Sequence, residues 1–284
     1  SAIIDGRTHG IPWRMDAEVL YYRSDLLEQA ELKPPRTWNE LKTAAMRVAD
    51  PDSGIYGFGM PGAVGGGAAR LLLMLLWSSN GSVEAADGTI DVTGDKMTAV
   101  LDYYVQLART GALQPEVLSW DQSGLHQLFV DGKLAMIVSD STLATRLHQT
   151  KSSLSYAVSP LPAGDQPLSF VSVDYLVVMR SSRNREACLE FLKFMASKTV
   201  QERMLVTGTI PSHWEVAQRF TREPPMDAFV SNLEHARSRP SCDWQLLQAI
   251  LDDALFMAIS GRNSSAEALQ QAQARLLPTI PPAQ

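Results

Sequence analysis

Residues 12–16 place three side chains suited to a polar ligand close together. Trp13 offers an aromatic face, Arg14 a guanidinium group and Asp16 a carboxylate. Guanidinium and carboxylate groups form strong hydrogen bonds with polar ligands, and aromatic rings pack against the apolar parts of such ligands. The combination is typical of a binding site for a polar small molecule. Taken alone, Asp16 is more simply explained as a solvated acid at the end of a strand.

The segment lies between elements that can hold it in place. Pro12 favours an extended backbone, and the residues that follow suit a pleated, half-buried surface. Residues 23–27 then open a helix, with Ser24 or Asp25 as its N-cap. We therefore expect the three polar and aromatic side chains on an extended segment that leads through a strand into a helix.

Short strands alternate with helices along the rest of the chain. Strands are predicted at residues 55–60, 134–138, 155–158 and 170–179, and helices at about 37–48, 71–77, 95–110, 122–129 and 243–277, the last region broken at 260–263. This alternation predicts an α/β fold.

A glycine-rich loop at residues 61–69 precedes the apolar helix at 71–77. Backbone amides at such a helix start can bind an anion. The loop lacks the Lys-Ser/Thr ending of a phosphate-binding loop and does not have dinucleotide-binding spacing. A flexible loop is the simpler interpretation.

Composition and charge narrow the class of protein. The chain has 284 residues, enough for two lobes that each bury a core, with 45% hydrophobic and 20% charged residues. Its net charge of −6 argues against a general nucleic-acid or anionic-membrane binder, which needs a basic face. The first six residues have neither a basic leader nor an apolar stretch, so we expect no export signal in this sequence.

Motifs for enzymatic or metal chemistry are weak. The histidines are scattered, no Cys-x-x-Cys or His-x-x-x-His spacing is present, and no Gly-x-Ser-x-Gly elbow occurs. The cysteines, Cys188 and Cys242, allow one disulfide or two thiols. No metal site and no cofactor is expected.

The sequence GIPWRMDAEVLYYRSDLLEQA at residues 10–30, followed by PPRTWNELKTAA at 34–45, resembles the extracellular solute-binding proteins of bacterial ABC sugar importers. Trehalose and maltose binders look most similar, and the motif F-x-x-G-K-x-A-M recurs as residues 129–136. The resemblance implies a hinged, two-lobed fold that closes on a carbohydrate and docks to ABC permease subunits. It also implies a location in the periplasm or on the outer face of the cytoplasmic membrane, and a monomeric complete protein.

The resemblance further implies how the lobes are divided. Residues 1–13 and 165–212 would form part of an N-lobe, and residues 14–164 and 213–284 a C-lobe. Family members have further βα units before the position of Ser1, so we expect the first lobe to be incomplete.

Sugar binders of this kind use acids, amides and aromatic rings from loops where strands end. By resemblance, Asp16 binds sugar hydroxyls. Asp140, Ser141 and Thr142 follow a strand, where simple helix capping is an equally good explanation. Tyr175 lies one residue after the position at which relatives carry a stacking aromatic residue, so it can point to the other face of the strand and its stacking contact is in question. Trp244 either faces the ligand or packs in the core. The expected ligand-binding residues are Trp13, Arg14, Asp16, Asp140, Ser141, Thr142, Ser172, Asp174, Tyr175 and Trp244.

Several acids near one arginine leave the ligand class open. A cleft formed by Asp16, Asp140, Asp174 and Asp243 would suit either a neutral di- or oligosaccharide or one with an amino group, and a glycerophosphodiester is a further alternative. Two acids that flank a sugar can also catalyse glycoside hydrolysis. Binding without catalysis is the prediction, and a turnover assay separates the two.

Overall fold

The computed structural model describes residues 2–4, 6–164, 168–204, 210–219, 226–233 and 235–276. The chain divides into two compact units. The first unit contains Ser1–Val19, Ser139–Ser152 and Ser169–Ser238, and the second contains Leu20–Val138, Ser153–Leu168 and Arg239–Gln284.

Strands and helices alternate through the described residues, which confirms the predicted α/β class. The strands are β1 (Ile3–Ile4), β2 (Arg7–Thr8), β3 (Ile11–Ala17), β4 (Val19–Arg23), β5 (Met136–Ser139), β6 (Tyr156–Ser159), β7 (Ser169–Leu176), β8 (Ile210–Pro211) and β9 (Ala236–Arg237). The α-helices are α1 (Ser24–Gln29), α2 (Trp38–Val48), α3 (Ala68–Ser78), α4 (Asp95–Arg109), α5 (Gln122–Val130), α6 (Ser141–Gln149), α7 (Arg185–Met195), α8 (Lys198–Met204), α9 (Trp214–Ala217), α10 (Met226–Leu233), α11 (Trp244–Ile259) and α12 (Ser265–Leu276). Within the described residues, no helix has both the length and the apolar character needed to cross a membrane.

The first unit is built on a sheet with strand order β8–β3–β7–β9. Strand β3 runs antiparallel to β7 and β8, whereas β9 runs parallel to β7. The pairing of β3 with β7 places Arg14 opposite Asp174 and Asp16 opposite Ser172. Because side chains alternate between the faces of a strand, these four polar residues share one face of the sheet.

The compact units differ from the lobes expected from the sequence. Residues 14–19, 139–152 and 213–238 belong to the first unit, although the predicted division placed them in the C-lobe. Strand β3 pairs with β7 from Ile11 through Ala17 with a register shift between Pro12 and Arg14, and the lobe division remains a prediction. The predicted boundary at residue 165 lies outside the described residues.

Helix α7 of the first unit buries little of its surface. Within this helix Leu192 is buried, whereas Leu189, Phe191 and Phe194 are 50%, 56% and 59% exposed. Phe191 and Phe194 are three residues apart and therefore lie on the same side of the helix. The helix thus presents apolar side chains to solvent.

The second unit contains a sheet with strand order β5–β4–β6 and a helical core. Every residue of α3 except Arg70 is buried, as the apolar run in the sequence predicts, and α11 packs against α3, α4 and α12. The predicted side-chain cap of α1 is wrong. Arg23 occupies the N-cap position and its side chain does not cap the helix, whereas the Asp25 carboxylate accepts hydrogen bonds from Arg23 Nε (2.8 Å) and Nη2 (2.5 Å).

The glycine-rich loop before α3 binds a carboxylate of the same chain. The backbone amides of Gly67 and Ala69 donate to Asp252 Oδ2 (3.1 Å) and Oδ1 (2.8 Å). Gly67 has a φ of 96°, a left-handed conformation that favours glycine. Asp252 is 1% exposed, and burial raises its pKa. The Asp252 carboxylate of α11 therefore occupies the anion-binding position at the start of α3.

Candidate functional site

A hollow of about 110 Å³ lies within the first unit. Three segments form its wall: strand β3, the start of helix α6 and strand β7. The lining residues are Arg14, Met15, Asp16, Asp140, Thr142, Ser172 and Asp174. Six of these seven side chains are polar or charged, so the hollow is suited to a ligand rich in hydrogen-bonding groups.

The register between β3 and β7 places two pairs of residues opposite each other in this wall, Arg14 with Asp174 and Asp16 with Ser172. Arg14 and Asp174 face each other across the strands, and the Arg14 guanidinium donates a hydrogen bond from Nε to Asp174 Oδ2. Their side chains are 45% and 51% exposed, so this ion pair adds little to stability. Its effect is to fix the orientation of both charged groups at the hollow, where each keeps further hydrogen-bonding capacity.

Asp140 acts as the N-cap of α6 and also lines the hollow. Its Oδ1 accepts hydrogen bonds from the backbone amide of Thr142 (3.0 Å) and from the Thr142 hydroxyl. The sequence left capping and ligand binding open for this residue, and the structure gives it the capping contact together with a position in the wall.

Asp16 is tied to the start of α6 by both carboxylate oxygens. Oδ1 accepts hydrogen bonds from the backbone amides of Ser141 (3.0 Å) and Ala17 (3.0 Å), and Oδ2 accepts one from the Ser141 hydroxyl (2.7 Å). Burial, and then the negative charge of Asp140, raise the pKa of Asp16 to about 7, although the bonds from Ser141 and Ala17 act in the opposite direction. Asp16 therefore changes charge near neutral pH, a property common in functional sites.

Four residues expected at the site do not line this hollow. Ser141 is 1% exposed, with its amide and hydroxyl directed at Asp16. Tyr175 follows Asp174 on β7, and strand alternation turns it to the other face, as its displaced position in the sequence suggested. Trp13 is half-buried, and its ring centre lies 5.8 Å from the Arg14 guanidinium carbon. Trp244 is half-buried as the first residue of α11 in the second unit.

Two residues of this region were not predicted from the sequence. Met15 lines the hollow, but a single methionine in a strand carries no chemical signal of a site. Gln201 is fully buried and donates from Nε2 to the Trp13 carbonyl oxygen (3.0 Å). It supports the backbone of β3 from a helix 188 residues further along the chain, a distance at which sequence spacing gives no information.

Solved structures of binding proteins share the fold. The maltose-bound MalE3 of T. maritima superposes with a TM-score of 0.88 at 23% sequence identity, covering 98% of this chain and 74% of that one. This similarity confirms the predicted periplasmic-binding-protein fold.

Sequence relatives are binding proteins as well. A binding protein of Brucella abortus is 26% identical over 281 residues, which cover 96% of this chain and 68% of the relative. The mannitol-binding protein of Pseudomonas aeruginosa is 29% identical over 204 residues, 69% of this chain and 46% of the relative. Residues 2–202 match the model of the bacterial extracellular solute-binding proteins. The chain belongs to this family.

Proposed function

We propose that the protein is the carbohydrate-binding component of an ABC importer and delivers a sugar or polyol to the permease. The observation that carries the proposal is the wall of the hollow, in which β3, β7 and the start of α6 bring charged and hydroxyl groups together. Family membership supports solute binding outside the cytoplasm. The relative named for mannitol and the similar structure with bound maltose support a polyhydroxylated ligand.

The lining groups complement the surface of a sugar. Carboxylates accept hydrogen bonds from hydroxyl groups, the Arg14 guanidinium donates to hydroxyl or ring oxygens, and the Thr142 and Ser172 hydroxyls do either. A hydrogen bond to a charged group contributes about 1.5–3 kcal/mol. Four such bonds would give roughly 6–12 kcal/mol, and the upper end of this range leaves about 8 kcal/mol, the free energy of micromolar binding, after about 4 kcal/mol is lost to ordering.

The proposed contact residues are the polar residues of the wall: Arg14, Asp16, Asp140, Thr142, Ser172 and Asp174. Trp13, Tyr175 and Trp244 are not among the residues that line this hollow, so ring stacking on them remains a separate prediction. Replacing Asp16 or Asp140 by alanine should weaken sugar binding at least tenfold, because each change removes a charged acceptor.

The test is a ligand screen on the full-length protein with mannitol, maltose and trehalose. Calorimetry and label-free thermal unfolding measure binding, and chromatography of the incubated sugars measures turnover. Binding that is lost in D16A and D140A and retained in D253N, which changes an acid outside the hollow, supports the proposal. A sugar bound equally by D16A and wild type would refute the assigned site, and released hydrolysis products would favour a glycosidase instead.

The charge of the wall favours a second candidate ligand. Three carboxylates line the hollow together with one guanidinium, which suits a sugar or a choline-bearing glycerophosphodiester with a cationic group. Calorimetry with glucosamine and glucose distinguishes the candidates. Tighter binding of glucosamine that weakens with added salt supports a cationic ligand, and equal binding of both sugars contradicts it.

Delivery to the permease requires its own measurement. Importer ATPase activity in proteoliposomes should rise when the sugar-loaded protein is added, and a lack of any response would refute this part of the proposal.

A further inference from the structure

Ser141 makes an unusual pair of contacts with the proposed ligand-binding acid. Its amide and its hydroxyl both donate to the Asp16 carboxylate, at 3.0 Å to Oδ1 and 2.7 Å to Oδ2. The residue is 1% exposed, and both of its hydrogen-bond donors are engaged within the protein. Ser141 therefore contacts Asp16 and not the space of the hollow.

These hydrogen bonds leave one acceptor position of the Asp16 carboxylate available. Each carboxylate oxygen can accept two hydrogen bonds. Among the described residues, Oδ1 accepts two, from Ser141 and Ala17, whereas Oδ2 accepts one, from the Ser141 hydroxyl. One acceptor position on Oδ2 thus remains for a ligand hydroxyl.

We propose that Ser141 is a positioning residue that holds Asp16 by both carboxylate oxygens and keeps one acceptor position of Oδ2 directed at the hollow. This proposal rests on the proposed function only in taking Asp16 as a sugar contact. It changes the role expected from the sequence, where Ser141 was itself a ligand-binding residue.

The same contacts give Ser141 control over the charge of Asp16. A hydrogen bond donated to a carboxylate favours its ionised form, so the serine hydroxyl opposes the effects of burial and of the nearby acid. Charged or titratable residues on the elements packed against Asp16 include Arg14 of β3, Asp140, Arg146 and His148 at and within α6, Asp174 of β7 and Asp227 of α10, and Glu18 follows β3. Of these, Asp140 is the charge that raises the pKa of Asp16.

The test is a carboxyl titration by NMR on the ligand-free protein with ¹³C-labelled aspartate. The Asp16 signal, identified by its absence in D16N, should titrate near pH 7. In S141A the midpoint should rise by roughly one unit, because one of the hydrogen bonds that favour the carboxylate is lost. In S141T, which keeps the hydroxyl, the midpoint should stay near that of the wild type.

Sugar affinity provides the functional readout. If the carboxylate is the binding form, wild-type Asp16 is about half ionised at pH 7 and S141A about one-tenth, so S141A should bind roughly fivefold more weakly at pH 7 and equally well at pH 9.5. Maltose or mannitol, whichever binds in the screen, is the probe.

An unchanged midpoint in S141A, or a midpoint in S141T that matches S141A, would overturn the proposal. The titration contains no sugar, so its result is independent of the proposed function. If the titration behaves as expected and no sugar binds, the ligand assignment fails and the positioning role stands.

Discussion

The wild type should become less stable as the pH rises through neutrality, and replacing Asp16 by asparagine should abolish this effect. The carboxyl has an ordinary pKa of 3.8, and burial together with the Asp140 charge raises it to about 7 in the folded protein. Between these values the folded state binds more protons than the unfolded state. The free energy of unfolding therefore falls as the pH rises through this range, in the absence of ligand.

The size of the effect follows from the two pKa values. One pKa unit corresponds to about 1.4 kcal/mol, so the full window amounts to about 4 kcal/mol. Between pH 5 and pH 8 a single site with these values loses about 2–3 kcal/mol. Asparagine keeps the shape and one oxygen acceptor but does not titrate, so D16N should lack this contribution.

The assay is urea unfolding at pH 5 and pH 8, followed by tryptophan fluorescence. The difference in free energy of unfolding, wild type minus D16N, should decrease by about 2–3 kcal/mol from pH 5 to pH 8. D25N is the matched control. The hydrogen bond from Arg23 holds the pKa of Asp25 below its ordinary value, so its contribution changes only at acidic pH and is constant over this range. Parallel pH dependences of wild type and D16N would refute the reasoning.

Three further changes, the first with a matched control, test other contacts. D252N should lower the free energy of unfolding by about 1–3 kcal/mol, because the amide group cannot accept from both Gly67 and Ala69. D253N on the same helix, which breaks an exposed pair with Arg275, should cost less than about 1 kcal/mol, and equal losses in urea unfolding would contradict the assigned role of Asp252. R14Q should change the free energy of unfolding by less than about 1 kcal/mol, because the exposed ion pair adds little to folding. It should weaken sugar binding in calorimetry by roughly tenfold or more, because a charged hydrogen-bond donor is lost. Unchanged affinity would exclude Arg14 from the proposed contact residues. D140N should lower the NMR titration midpoint of Asp16, because it removes the charge that opposes ionisation, and a midpoint that does not fall would contradict this effect of Asp140.

Local patterns in the sequence predicted the parts of the site that depend on one strand or one helix start. Alternation along β3 and β7 separated Asp174 from Tyr175, and the position of Asp140 after a strand predicted its place at the start of α6. Contacts between distant segments could not be predicted in this way. The bond between Ser141 and Asp16 joins residues 125 apart, and that between Gly67 and Asp252 residues 185 apart, so each depends on the completed fold.

The pairing of β3 with β7 shows the same limit. Its register shifts between Pro12 and Arg14 and then continues to Ala17. Pairing register is a property of two strands together, and residues 11–17 alone do not reveal their partner.

The apolar side chains on α7 have a practical consequence for any ligand screen. Phe191 and Phe194 are more than half exposed on one side of the helix, and exposed apolar surface of this kind binds reporter dyes that become fluorescent in nonpolar surroundings. We expect a high starting signal from such dyes with the native protein, so that melting curves recorded with them would be flattened. Light scattering or the protein's own indole emission would report the same transition without this interference.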